Sequence, residues 1–397
     1  MVSVLSRVLG LKNLEAAQDI VQDTLLQAMS TWSFGKVPDH PSAWLYRVAR
    51  NKAIDFLRRE KRFRELSPQY SYLVQSEWTL SPTINNLFLD TEIQDSQLRM
   101  MFACCHPSIP EESQIALTLK TLCGLGVNEI AKAFLTNEET ISKRIYRAKE
   151  KIKSESIELV VPSGDELNGR LDTVLKSLYL LFNEGYNSSH AERLIREDLC
   201  EESMRLCHLL TQHPLTSYPR SKALLSLMCF QSSRLNTRLD DKGNIILLKN
   251  QERGKWNRSL INKGFEYIEA AAEPFEISPY HLEAGIASIH AASPSFEKTD
   301  WKSIYHLYEM LYQLQPNPVV AMNKAIASAY AISKEKALEE LQQIKGLEKH
   351  HLYYASMGEM YFDLHQKENA KKYFKQAYDL TDSQSEKQLL LEKMSLC

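Results

Sequence analysis

Basic and hydroxyl side chains recur at helical spacing in one short segment, and side chains of these types can bind nucleic-acid phosphates and bases. If the segment is a helix, one face carries Thr140, Lys143, Arg144 and Arg147. The opposite face carries Ile141, Ile145, Ala148 and Ile152, at spacings of four, three and four residues. The amphipathic pattern predicts a helix that packs by its apolar face and presents its basic face to a partner.

The residues before this segment predict where the helix begins and what precedes it. Thr136 and Glu139 have the spacing of a capping box, which predicts a helix start at Asn137. Upstream, "VNEIAKAFL" predicts a short helix separated from the next one by a tight break. Two short helices of which the second is basic and exposed form a helix-turn-helix. A plain helical hairpin with a solvated basic face gives a similar pattern, and this segment alone leaves that alternative open.

A second basic segment lies closer to the N-terminus. Its basic residues are Arg47, Arg50, Lys52, Arg58, Arg59, Lys61, Arg62 and Arg64, and only Asp55 and Glu60 oppose them. The formal net charge of the whole chain is −2, so the remainder balances these two segments. Local positive charge of this kind is expected where a protein contacts nucleic-acid phosphates.

Nearly every segment has apolar residues three and four positions apart, which predicts an all-α fold. With 44% hydrophobic and 25% charged residues, the composition is that of a soluble globular protein. No apolar run approaches the roughly 20 residues that span a bilayer. The N-terminus has no signal-peptide pattern, so we expect a cytoplasmic protein.

The motifs of enzymes and metal sites are missing from the sequence. The seven cysteines include no C-x-x-C pair, so buried reduced thiols are the simpler interpretation, with "CCHP" (residues 104–107) as an alternative metal or redox site. "GLGVNE" lacks the third glycine of a dinucleotide fingerprint, and no H-E-x-x-H, G-x-S-x-G or P-loop sequence is present. We therefore expect no enzymatic activity, no catalytic residue, no cofactor and no metal.

The C-terminal part of the chain contains an internal repeat. Asn323, Ala325, Ala337, Leu341 and Ile344 recur 33 residues later as Ser356, Gly358, Ala370, Phe374 and Ala377. Gly358, Tyr361, Ala370, Phe374 and Ala377 occupy the small and aromatic positions of a tetratricopeptide (TPR) repeat. We predict TPR-like units over about residues 280–380, which present surfaces to partners. Any stack of helical hairpins is the alternative.

Together these segments resemble the extracytoplasmic-function (ECF) sigma factors of bacterial RNA polymerase. "AAQDIVQDTLLQAMSTW" and "PSAWLYRVARNKAIDFLRREKR" are similar to sigma region 2, and "ALTLKTLCGLGVNEIAKAFLTNEETISKRIYRAKEKI" is similar to region 4. The long helical remainder, with "LYLLFNEGY", resembles the subgroup that carries a C-terminal extension. The resemblance implies region 2 at 1–65, a linker at 66–93, region 4 at 94–155 and the extension at 165–397. It also implies that region 2 begins inside its first helix, and so is shortened at its N-terminus or starts at a misplaced codon.

The resemblance assigns a role to individual residues. The helix that reads the −35 promoter element would carry Thr140, Lys143, Arg144 and Arg147. The residues for −10 recognition and melting would be Phe34, Lys36, His40, Trp44, Asn51, Asp55, Arg58, Arg59 and Arg62, where the loop from Phe34 to His40 receives a flipped base. The residues that dock on the β′ clamp helices of core RNA polymerase would be Asp19, Gln22 and Asp23. The β flap is the second expected contact of the polymerase.

Several of these residues have a simpler interpretation. Trp44 can equally be a core residue, and Asp55 can form an ion pair along its own helix. Asp19 and Asp23 can belong to a plain solvated face. The leading hypothesis is a sigma factor that directs promoter-specific initiation, with an extension that regulates it intramolecularly. The alternative is a TPR-like scaffold or DNA-binding regulator that does not act as a sigma subunit.

Overall fold

The computed structural model describes residues 1–33, 37–59, 89–134, 136–187, 195–273 and 276–397. The chain divides into two compact units, Met1–Ser177 and Leu178–Cys397. Over the described residues the regular structure is helical, and the pairing of Leu239 with Ile245 is an isolated antiparallel bridge outside any strand. The predicted all-α fold is confirmed.

The first unit contains seven helices of the described residues and the beginning of an eighth. They are α1 (Val2–Leu9), α2 (Leu14–Trp32), α3 (Pro41–Arg59), α4 (Asp90–Cys104), α5 (Glu111–Thr121), α6 (Val127–Ala133), α7 (Glu138–Ser154) and α8 (Asp165–Tyr186). Helix α8 continues into the second unit, because the unit boundary follows Ser177. Helix α4 begins within the last residues of the predicted linker.

The first three helices share one apolar core. Leu5 and Leu9 of α1 are fully buried with Ala17 of α2 and Ala53 of α3, and small residues at these points let the helices approach closely. Arg7 of α1 extends from this core and forms ion pairs with α4, at 2.7 Å to Glu92 and 2.9 Å to Asp95. The first residues of the chain therefore stabilise the packing of both α3 and α4.

The second unit continues α8 and adds ten further helices among the described residues. They are α9 (Glu197–Gln212), α10 (Pro219–Ser232), α11 (Arg258–Ala270), α12 (Pro279–Ala292), α13 (Trp301–Leu314), α14 (Pro318–Ala331), α15 (Lys334–Gln343), α16 (His351–Asp363), α17 (Lys367–Leu380) and α18 (Gln384–Leu396). Helices α16 and α17 begin 33 residues after α14 and α15 respectively, which confirms the predicted repeat period.

Within the second hairpin of the repeat, one glycine allows the closest approach of two helices. A Cβ placed on Gly358 of α16 would lie 2.5 Å from Cδ1 of Phe374 on α17. Phe374 is 1% exposed, and Ala370 and Ala377 on either side of it are fully buried. The small and aromatic positions singled out in the sequence are therefore the ones that pack the hairpin.

The environment of the cysteines favours the simpler interpretation of them. Cys104 and Cys105 are buried, and burial raises the pKa of each thiol to about 12. A thiol with such a pKa stays protonated, and the thiolate is the form that binds metal or reacts. Helices long and apolar enough to cross a membrane are not found over the described part of the chain.

Candidate nucleic-acid interface

The candidate interface is built on α7, whose start differs by one residue from the predicted capping box. The cap is Asn137, not Thr136, and the Asn137 side chain accepts a hydrogen bond from the Thr140 backbone N–H at 2.8 Å. Asn137 has extended backbone angles (φ −95°, ψ 159°), as an N-cap requires. The turn before α7 is fixed further by Asn128 of α6, which donates to the Glu138 carboxylate at 2.7 Å.

The apolar face of α7 is confirmed in full. Its members are buried, with relative exposures of 0% for Ile141, 7% for Ile145, 0% for Ala148 and 1% for Ile152. This face packs on α5 and on α6, whose Ile130 is also fully buried. The two short helices and the tight break between them form the predicted helix-turn-helix arrangement, and α7 is held so that its polar face points to solvent.

The four candidate base-reading residues of α7 differ in how they are engaged. Lys143 and Arg147 are exposed, whereas Thr140 and Arg144 are half-buried. Lys143 forms an ion pair with Glu139 at 2.6 Å, and Arg144 forms one with Glu112 of α5. Arg147 has no carboxylate within 4 Å among the described residues. Of the two arginines on this face of α7, Arg147 is therefore the more available to an anionic partner.

The second group of candidate residues lies on α3 and on the segment before it. His40 and Asn51 are exposed, and Asn51 accepts a hydrogen bond from Arg50 at 3.3 Å. Trp44 is half-buried, with its ring 5.3 Å from that of Trp32 on α2, so it combines a packing contact with partial exposure. Asp55 is exposed on the same helix.

Five candidates of this group cannot be placed. Phe34, Lys36 and Arg62 lie outside the described residues. Arg58 and Arg59 form the C-terminal end of α3, and their side chains are outside the described part of the chain.

A cleft beside His40 contains residues that the sequence reasoning did not select. It has a volume of about 590 Å³ and is lined by Tyr46, Arg47 and Arg50 of α3 and by Ile93 of α4, among others. This volume falls in the range of ligand-binding clefts in proteins. Arg47 and Arg50 belong to the basic segment counted in the sequence. Because Tyr46, Arg47 and Arg50 lie within five residues of one another on one helix, the sequence could have identified them as an aromatic and basic cluster.

The predicted polymerase-docking residues share one exposed face of α2. Asp19, Gln22 and Asp23 are all exposed, and Asp23 lies 3.7 Å from Lys52 of α3. Glu15, one turn before Asp19 on this face, lies 3.6 Å from Lys149 near the end of α7.

The end of α7 packs against the start of α2 through these charged groups. Lys149 is only 17% exposed and donates a hydrogen bond to the Gln18 side chain at 2.8 Å. Lys153 also lies 3.6 Å from Glu15. The end of the basic helix therefore lies next to the candidate docking face within the first unit.

Comparisons with protein families give matches that include the two basic segments and part of the C-terminal extension. Residues 1–63 match the model of sigma-70 region 2, and residues 99–152 match the model of sigma-70 region 4. Residues 170–272 match a family of unknown function, DUF6596.

Individual relatives extend these matches. An uncharacterized protein of Rhizobium meliloti (strain 1021) is 33% identical over 378 residues, covering 94% of this chain and 88% of the relative. The ECF RNA polymerase sigma-E factor of Escherichia coli (strain K12) is 30% identical over 140 residues, covering 34% of this chain and 70% of the relative. The RNA polymerase sigma factor SigV of Bacillus subtilis (strain 168) is 26% identical over 137 residues, covering 34% of this chain and 74% of the relative. No solved structure matches the chain.

Proposed function

The chain belongs to the extracytoplasmic-function group of sigma-70 factors, and from that premise we propose how its two units direct transcription initiation. Sigma factors are non-enzymatic initiation factors, and core RNA polymerase and promoter DNA are the partners that the family implies. The proposal is that α7 reads the −35 element, that α3 and its cleft engage the −10 element, and that α2 binds the polymerase in the cytoplasm.

The arrangement of α7 is the observation that carries the proposal. Four buried residues hold the helix on α5 and α6, so its opposite face is rigidly presented. An exposed recognition helix of this kind enters the major groove with its N-terminal residues toward the bases. Thr140, Lys143 and Arg144 lie in the first two turns and would contact bases, whereas Arg147 lies a turn further along and would contact phosphate.

The cleft at α3 supports the role at the −10 element. Flipping a base out of the duplex costs a few kcal/mol, so a shaped pocket must hold the base once it is extruded. His40 and Tyr46 supply planar rings at the cleft, and Arg47 and Arg50 supply positive charge for the single strand. Trp44, which is only half-buried, would stack on a base of the strand.

Docking on the polymerase would use Asp19, Gln22 and Asp23, with the β′ clamp helices as the surface. Exposed carboxylates on one helical face complement a basic surface and steer association. Since Glu15 on the same face contacts Lys149, docking on this face competes with the α7 contact. Binding of the polymerase would therefore be coupled to release of the end of α7, and α7 would then be positioned by the β flap.

The second unit is proposed to regulate the first intramolecularly. The size of the second unit supports this role: it has 220 residues, is largely helical where described and has its own apolar cores. The helix α8 runs continuously from the first unit into the second. Leu171 and Leu175 of α8 are fully buried in the part that belongs to the first unit, so a truncation must retain at least this part of the helix. Removal of residues after Asn187 should change promoter activity, and unchanged activity would count against regulation.

The decisive experiment is transcription reconstituted with bacterial core RNA polymerase on genomic promoter fragments. A sigma factor predicts transcripts from discrete start sites preceded by common −35 and −10 sequences. Arg147→Ala should lower initiation on those promoters, and Arg258→Ala, at the exposed start of α11, is the matched control. Binding of DNA without any promoter-specific transcript would refute the sigma role and favour a scaffold or DNA-binding regulator.

A further inference from the structure

The second unit contains a cavity whose position and lining are independent of the proposed promoter recognition. It has a volume of about 200 Å³ and lies between α10, α12 and α13. Phe230 of α10 and Ile286 of α12 form apolar walls, and both are buried. Cavities of roughly 150 Å³ in proteins accommodate benzene, so the space suits a molecule of about that size or slightly larger.

Two residues that line this cavity, Trp256 and His290, each have a buried ring nitrogen without a hydrogen-bond partner among the described residues. Trp256 is 3% exposed and lines the cavity, and its indole N–H has no hydrogen-bond partner among the described residues. A buried donor without an acceptor costs about 1–3 kcal/mol, so native proteins rarely leave one unless something supplies the acceptor. A bound molecule with an acceptor atom would satisfy it.

The charge beside the donor is positive. Arg234 lines the cavity and donates to the Gln231 side chain at 3.0 Å, and within the described ranges no carboxylate lies within 4 Å of its guanidinium. Arg253 does not line the cavity but lies 5.3 Å from the ring centre of Trp256, and it donates to the backbone oxygens of His290 and Ser293 at 2.6 and 2.9 Å. Arg234 therefore supplies positive charge at the cavity wall, and Arg253 supplies a second positive charge next to Trp256.

Below pH 7 the remaining titratable groups at the cavity offset little of this charge. Burial lowers the pKa of His290 to about 3, so its imidazole is neutral near pH 7. Burial raises the pKa of Glu283 to about 7, and Tyr179 donates a hydrogen bond to this carboxyl at 2.9 Å. In its protonated form Glu283 can itself donate to an anion.

We propose that this cavity binds a small monocarboxylic acid with a compact apolar body. The carboxylate would lie against Arg234 and accept the N–H of Trp256, and the apolar body would pack against Phe230 and Ile286. A guanidinium and a neutral N–H donor together match the two oxygens of one carboxylate. An amine would instead place a second cation beside Arg234.

The test uses the full chain and three probes of similar shape and different charge, namely benzoate, benzamide and benzylamine. Isothermal titration calorimetry near pH 6, where Glu283 is mostly protonated, should give a dissociation constant at least ten-fold lower for benzoate than for benzamide, and no binding of benzylamine. Equal binding of benzoate and benzamide, preferential binding of benzylamine, or no binding of any probe would each overturn the proposal.

Two variants locate the bound carboxylate. Arg234→Gln should weaken benzoate binding at least ten-fold, and Trp256→Phe, which removes the N–H but keeps an aromatic ring, should weaken it several-fold. Arg258→Gln on the exposed start of α11 should leave it unchanged. Unchanged benzoate affinity in both cavity variants would place binding elsewhere and refute the assignment. The charge series on the unmodified chain decides the proposal even if either variant fails to fold.

Discussion

Replacing Gly358 by alanine tests whether the hairpin of α16 and α17 packs as closely as the repeat period implies. The added methyl group would lie 2.5 Å from Cδ1 and 2.6 Å from Cε1 of Phe374, far inside van der Waals contact. Phe374 is 1% exposed and held between Ala370 and Ala377, so its ring cannot move aside freely. Either the helices must separate or the ring must leave its position.

The expected magnitude follows from two opposing terms. Alanine in a helix interior is favoured over glycine by about 1 kcal/mol. Overpacking a core costs typically about 1–3 kcal/mol, and a rigid aromatic neighbour places this case at or above the upper end. Gly358→Ala should therefore lower the free energy of unfolding of the second unit by about 2 kcal/mol, measured by urea denaturation of the full chain.

A matched glycine provides the control. Gly169 on α8 has no heavy atom within 4 Å of a Cβ placed on it, so Gly169→Ala should stabilise its unit by up to about 1 kcal/mol. Combining Gly358→Ala with Phe374→Leu should cost less than the sum of the two single changes, because the smaller side chain relieves the clash. If Gly358→Ala were as stable as the unmodified chain while Gly169→Ala behaved as expected, the close packing would be refuted.

Three further changes probe the charged groups. Glu112→Gln removes the carboxylate that is paired with Arg144, and exposed ion pairs contribute up to about 1 kcal/mol. The affinity of the holoenzyme for its promoter should therefore rise by up to about five-fold in a filter-binding assay. A decrease in affinity would show that Arg144 needs Glu112 to be positioned. Glu15→Lys should destabilise the first unit by about 1 kcal/mol in thermal unfolding, and adding Lys149→Glu should restore most of the loss, whereas additive losses would argue against the contact. Burial raises the pKa of Glu283 to about 7 in the folded chain, so between about pH 4.5 and 7 the folded chain binds a proton that the unfolded chain releases. The contribution of Glu283 to the free energy of unfolding therefore falls as pH rises through this window. Glu283→Gln should abolish that decline, and an unchanged dependence of stability on pH would contradict the assignment.

The periodic features could be predicted from the sequence because each depends on local spacing. The buried face of α7 and the 33-residue displacement of α16 from α14 are of this kind. The predicted N-cap of α7, Thr136, was wrong by one residue, because Thr136 and Asn137 are both good capping residues and the sequence does not distinguish them. In the structure Asn137 has the extended backbone angles of the N-cap. The position of the boundary between the two units could not be predicted from helical spacing either, because α8 runs continuously across Ser177.

The cavity of the second unit could not have been predicted from the sequence. Arg234, Trp256 and Glu283 are far apart along the chain, and they meet only because α10 packs against α11 and α12. No spacing rule relates residues on a loop to residues on a helix that follows it. The cleft at α3 is an intermediate case, because Tyr46, Arg47 and Arg50 share one helix but Ile93 comes from α4.

The ion pairs along α7 explain how a nearly neutral chain can present a basic helix. Most basic side chains of α7 have a carboxylate within 4 Å, as Lys143 has Glu139, and Arg147 has none among the residues described. Exposed pairs of this kind are worth at most about 1 kcal/mol each, so phosphates can replace the carboxylates at little cost. Lys149 is different, because it is 17% exposed and already engaged with α2. The basic side chains in the N-terminal turns of α7 therefore need only exchange exposed ion pairs to bind an anionic partner, whereas Lys149 near its end must first leave Glu15 and Gln18.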